Sequence, residues 1–251
     1  MRKNRLWLVV AITIAYSLPL AAQPTFPENG VANPRHGHYA FTNATIVKDA
    51  STTISNATLV VKDGKILAVG ANLKVPAGAV EVDCKGKFIY PSLLDIYSDY
   101  GIPAPQRAAG GGGFNFAQPA QLETATKGAY GWNQAIKSDV DAYKVFSVDD
   151  AKAKPLREAG FGTVLSHVKD GIARGTGVVV SLANEKENLV IIKDKASAHY
   201  SFSKGTSTQS YPGSMMGMIA LLRQTFLDAQ WYKTKPAAEG LNLSLQSWND
   251  N

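Results

Sequence analysis

Residues 86–101, Gly-Lys-Phe-Ile-Tyr-Pro-Ser-Leu-Leu-Asp-Ile-Tyr-Ser-Asp-Tyr-Gly, constrain the fold more than any other stretch of the chain. The run is apolar and β-prone, and it closes on four side chains that can bind or ionise: Asp95, Tyr97, Ser98 and Asp99. A buried strand that delivers polar groups at its C-terminal end is how parallel α/β folds and barrels build sites. Residues 88–89 and 93–96 predict one strand, apolar on both faces and interrupted by Pro91, as in a parallel sheet.

What precedes this run reads as short strands and tight turns. Residues 41–47, 58–62 and 65–69 are β-prone, and Asp63-Gly64 joins the last two. Asp-Gly between apolar runs signals a hairpin, because a type I′ turn needs positive φ at both central residues. A second turn at Pro76-Ala77-Gly78 leads into the alternation Val80, Val82, Cys84. Cys84 is the only cysteine, which excludes an internal disulfide and a four-cysteine zinc site. It reads as a small buried apolar group.

Residues 1–22 have a basic head, an apolar core and small residues before Gln23, the layout of a cleaved secretory signal. The predicted location is therefore exported, periplasmic or secreted, with no stable membrane span after cleavage. Residues 23–38 carry Pro24, Pro27, Gly30, Pro34 and Gly37 and read as a linker, with His36 and His38 as solvated linker histidines. The net charge is +6, of which Arg2, Lys3 and Arg5 belong to the leader, leaving +3 (+6 − 3). The other basic residues are scattered and not interleaved with aromatics, so no nucleic-acid partner is expected.

Beyond the central run, residues 102–122 are rich in Gly and Pro but lack the Gly-Lys-Ser/Thr ending of a phosphate loop. Residues 149–159 predict a helix with Pro155 as a kink or first-turn residue, and 163–166 a short strand with His167 just past its end. Residues 171–177 read as a loop, 178–182 as a strand, 184–188 as a polar turn and 189–193 as another strand, with His199 in a polar loop. Met215, Met218, Ile219, Leu222, Phe226 and Ala229 recur at helical spacing over 214–233, predicting a helix with one buried face. Residues 241–248 read as the start of a further helix. The order of elements points to an α/β protein.

Two of these stretches carry a resemblance. Residues 61–70, Val-Lys-Asp-Gly-Lys-Ile-Leu-Ala-Val-Gly, together with 86–95, resemble the N-terminal β-module and first barrel strand of the amidohydrolase superfamily. Residues 157–164, Arg-Glu-Ala-Gly-Phe-Gly-Thr-Val, are similar to the family's approach to a later barrel strand. The resemblance implies a small β-sandwich-like module at 39–87 and an incomplete (β/α) TIM-type barrel at 88–251. A full barrel takes about 250 residues, and 164 (251 − 87) follow Lys87. It also implies a divalent, zinc-type metal. The family motif at the first strand reads Pro-Gly-Leu-Ile-Asp-x-His-x-His, and both histidines bind that metal. Here Ser92 follows Pro91, and Tyr97 and Asp99 stand at the two histidine positions. Tyr is a poor zinc ligand and one carboxylate does not replace a His pair, so no metal is expected on this chain. His167, at a strand end, is a weaker metal candidate.

The resemblance implies hydrolysis of a C–N bond in a small molecule or short peptide by metal-activated water, in a full-length protein longer than this chain. This N-terminal part is expected to be inactive alone. The alternative is a non-catalytic structural or binding domain that supports a partner or downstream enzyme unit. A serine hydrolase is not indicated, since no Gly-x-Ser-x-Gly elbow is present.

Overall fold

The computed structural model describes residues 37–106, 121–124, 128–129, 133–235 and 240–251. The leader, His36 and most of the Gly-rich stretch lie outside the described residues. The chain divides into two compact units between Pro91 and Ser92.

The first unit is one sheet. It contains β1 (His38–Val47), β2 (Thr53–Lys62), β3 (Lys65–Ala71), β4 (Val80–Asp83) and β5 (Phe88–Ile89). The order is β3-β2-β1-β4, with β5 also on β1. The β2–β3 hairpin forms where the turn chemistry demands: Asp63 and Gly64 take φ values of 51° and 73°, and Lys62 pairs with Lys65. Strand β1 alternates, burying Ala40, Thr42, Ala44 and Ile46. Ala44, Ile46, Ala57 and Cys84 form the centre of this core, with Phe41, Leu59 and Val69 against it. Cys84 is thus buried, as its place in the alternation predicts. His38 is not linker but the first residue of β1. The sandwich-like expectation resolves into a single five-stranded sheet among the described residues.

The second unit contains β6 (Leu93–Ser98), α1 (Ala142–Val145), α2 (Asp150–Glu158), β7 (Phe161–Ser166) and β8 (Ala173–Ser181). It continues with α3 (Glu187–Val190), β9 (Ile191–Tyr200), α4 (Met215–Thr234) and α5 (Leu243–Asp250). Its sheet runs β6-β7-β8-β9. β6 and β7 are parallel, joined through α2, whereas β7–β8 and β8–β9 are antiparallel. Only the first pair therefore has the parallel geometry expected of barrel strands. Asp149 caps α2, its side chain accepting from the Lys152 amide at 3.1 Å. Pro155 lies inside that helix, and Arg157 ties it to Leu182 O and Asp150, both at 2.7 Å. Val164, Val178, Val180 and Leu182 pack with Tyr100, Ile102 and Phe146 as the core.

Six expectations change here. Residues 88–89 and 93–98 are two strands in two sheets, not one strand broken at Pro91. β6 is not buried on both faces: Leu93, Leu94 and Ile96 are all more than half exposed. Among the described residues it is an edge strand, paired on one side only, to β7. β8 begins at Ala173, inside the stretch read as a loop, and residues 187–190 form a helical turn before β9 carries His199 within a strand. On α4 the buried line is shifted: Thr225 and Ala229 are buried and Met218 and Leu222 half-buried, while Met215, Ile219 and Phe226 are exposed. Among the described residues no helix is long and apolar enough to cross a membrane.

Candidate functional site

The end of β6 turns its backbone amides onto its own side chains. Asp95 Oδ1 accepts from the Tyr97 amide at 2.9 Å, and Ser98 Oγ from the Tyr100 amide at 3.1 Å. Asp95 and Ser98 thereby act locally, leaving Tyr97 and Asp99 to face outward. β7 runs parallel beside this end, and the His167 amide bonds to Ser98 O at 3.1 Å. That register brings His167 against Tyr97, with ring centroids 4.9 Å apart.

β8 and β9 supply the rest. Arg174 on β8 donates through Nη1 to Tyr97 Oη at 3.0 Å and through Nε to Gly171 O at 3.3 Å. His199 on β9 stacks flat on His167, centroids 3.8 Å apart and planes 2° from parallel. Its Nε2 shares a 2.7 Å hydrogen bond with Ser197 Oγ, two residues away on the same face of the strand. Gly177 makes room for this pair. A Cβ there would lie 2.6 Å from His199 Nε2 and 2.7 Å from Ser197 Oγ, so no larger residue fits without moving them. Lys169 completes the group. Its Nζ sits 4.8 Å from the Tyr97 ring centroid and 3.5 Å from Asp99 Oδ1.

The cluster has a buried base, His167 and Arg174, beneath the exposed Tyr97 and Asp99. His167 is fully buried, and neither ring nitrogen has a hydrogen-bond partner. Burial, the stacked His199 and the charges of Arg174 and Lys169 push the His167 imidazole down to about 4. Burial and Arg174 also lower His199. Both imidazoles are therefore neutral at pH 7. Arg174 is only 7% exposed and, among the described residues, forms no ion pair.

These residues do not suit a zinc-type ion. The Tyr97 hydroxyl faces a guanidinium and the Asp99 carboxylate faces an ammonium, so a divalent cation at either would meet like charge. Stacked imidazoles direct their nitrogens along parallel planes, and cannot converge on one tetrahedral ion without unstacking. Among the described residues no group of three or more His, Cys, Asp or Glu is placed to hold a metal.

Of the residues singled out in the sequence, Tyr97, Asp99 and His167 come together, and His199 joins them from a strand that reads as a loop. Sequence reasoning gives Arg174 and Lys169 no role. The signal for Arg174 is its place in residues 170–175, Asp-Gly-Ile-Ala-Arg-Gly, a stretch that resembles exported amidohydrolase-related proteins.

No protein-family model and no curated protein matches the sequence. Among solved structures, an amidohydrolase from Thermotoga maritima MSB8 aligns with a TM-score of 0.62 at 21% identity. The alignment covers 84% of this chain and 54% of that one, so the chain spans about half the length of its structural relative. A prolidase from Bifidobacterium longum (TM-score 0.25) and a D-hydantoinase (0.23) match short stretches, 28% and 26% of this chain, at 31% and 36% identity. Over the aligned part, the chain shares the fold of the Thermotoga amidohydrolase.

Proposed function

We propose that this chain is the non-catalytic, binding part of an amidohydrolase-type protein. Hydrolysis of a C–N bond in a small molecule or short peptide, by metal-activated water, belongs to the full-length protein. The fold shared with the Thermotoga amidohydrolase supports the lineage. The observation that carries the non-catalytic role is the pairing of Tyr97 with Arg174 and of Asp99 with Lys169. At the two positions where the resemblance places metal ligands, cations already occupy the metal's electrostatic role. Export of the protein, on the signal-like leader at 1–22, is part of the same proposal.

Metal analysis of the purified 251-residue chain after zinc loading and dialysis tests it. The expected result is no stoichiometric zinc, no response to Asp99→Ala, and no turnover of dipeptides or cyclic amides. One zinc per chain, lost in Asp99→Ala, would overturn the reading.

A further inference from the structure

We propose that the cluster at the end of β6 is a carboxylate-binding site, in which Arg174 pairs with the carboxylate of a small molecule, Lys169 neutralises the neighbouring Asp99 and His167 donates a hydrogen bond. The inference rests on the reading that no metal is held there, and it names what is held instead.

Arg174 is the first reason. Its guanidinium is buried, yet its two hydrogen bonds go to a phenol and a backbone carbonyl, both uncharged. A buried cation without a counter-ion is strongly unfavourable, and folds ordinarily supply one. This unit does so elsewhere. Asp170 is held by Lys137 and by the hydroxyl and amide of Thr206. Asp141 is held by Lys144, Lys195 and Thr176. Asp170 lies only four residues before Arg174, and is fully engaged away from it.

His167 is the second reason. It is a buried imidazole whose two nitrogens both lack partners, although buried polar groups are nearly always satisfied. A neutral imidazole offers one N–H donor to an incoming oxygen. Access is the third. Tyr97, which touches both Arg174 and His167, is 57% exposed, and the Lys169 and Asp99 side chains are 30% and 69% exposed, so the buried pair lies one side chain beneath solvent.

Charge selects the ligand class. Lys169 is matched by Asp99, which leaves one positive charge uncompensated. A singly charged, planar carboxylate neutralises it and suits the guanidinium fork. Phosphate, with nearly two charges at pH 7.5, exceeds the one uncompensated positive charge and is not planar.

The test is thermal unfolding and calorimetric titration of the full 251-residue chain with sodium acetate, sodium phosphate and sodium chloride at matched ionic strength, pH 7.5. Acetate is expected to raise Tm saturably above the chloride control, and phosphate to match chloride. Arg174→Met is expected to melt cooperatively and to bind acetate roughly ten- to hundredfold more weakly. Lys169→Gln, at a more exposed position, is expected to weaken it a fewfold. In the unaltered chain, acetate is expected to move the His167 imidazole resonances, a readout that does not depend on any variant folding. Acetate indistinguishable from chloride, phosphate binding more tightly than acetate, or acetate binding retained in Arg174→Met would each overturn the proposal. Stoichiometric zinc would instead overturn the non-catalytic reading; no zinc and no acetate response would sink this inference alone.

Discussion

Two charged groups in the second unit, four residues apart in sequence, are treated in opposite ways. Asp170 sits in a knot with Lys137 and Thr206, where every oxygen has a donor. Burial works to raise its pKa, and the bonds from Lys137 and Thr206 more than offset this and hold it below the usual carboxylate range. Arg174 is as deeply buried, and among the described residues has no acidic partner. The first arrangement is what a fold uses to fix a loop, since removing either partner strands a charge. The second has only two hydrogen bonds, to a phenol and a backbone carbonyl. On the proposal above, the first cluster holds the structure and the second awaits a ligand.

The largest expected effect breaks the structural knot. Asp170→Ala leaves Lys137 without its carboxylate and the Thr206 amide and hydroxyl without their acceptor. Urea unfolding should show a loss of about 3 kcal/mol or more. A loss below about 1 kcal/mol would mean that the knot is not structural.

A smaller effect follows from His167. In the unfolded chain this imidazole takes up a proton near its ordinary value of 6.5, and in the folded chain only near about 4. Between these values the unfolded chain binds more protons, so stability falls as the pH drops through this window. It is fully present above about 6.5, and is gone below about 4. The loss should reach up to about 3 kcal/mol, and His199, lowered in the same direction, adds to it. In His167→Phe the slope between pH 7 and 4 should flatten markedly. An unchanged slope would show that His167 is not the buried neutral base described.

How much of this was legible beforehand depends on whether the determinant was local. The Asp63-Gly64 turn was legible because positive φ at two successive residues is a property of those residues. Cys84 was legible through strand alternation. The helix capped by Asp149 announces itself by its cap. The exposure of β6 was not legible, since an edge strand and a central strand can share the same apolar run and differ only in having a second neighbour. Nor was the place of His199. Its strand reads Ile-Ile-Lys-Asp-Lys-Ala-Ser-Ala-His-Tyr, a polar pattern that takes strand form through pairing with β8. At the candidate site, Tyr97 and Asp99 could be found because the resemblance points to the positions they occupy. The role of Arg174 could not, because its significance lies in the lack of an acidic partner among the described residues, and sequence does not show which charges are paired.

The most direct measurement is the unfolding free energy of Arg174→Met beside the unaltered chain, in chloride with no carboxylate present. Gly171 O keeps a second donor in Ser201 Oγ at 2.9 Å, and the exposed Tyr97 hydroxyl can turn to water, so the substitution strands neither group. If Arg174 is a buried cation held ready for an anion, the variant will be as stable as the unaltered chain or more stable, by about 1–4 kcal/mol. A loss of about 3 kcal/mol, as expected for Asp170→Ala, would make Arg174 another structural knot and contradict the account.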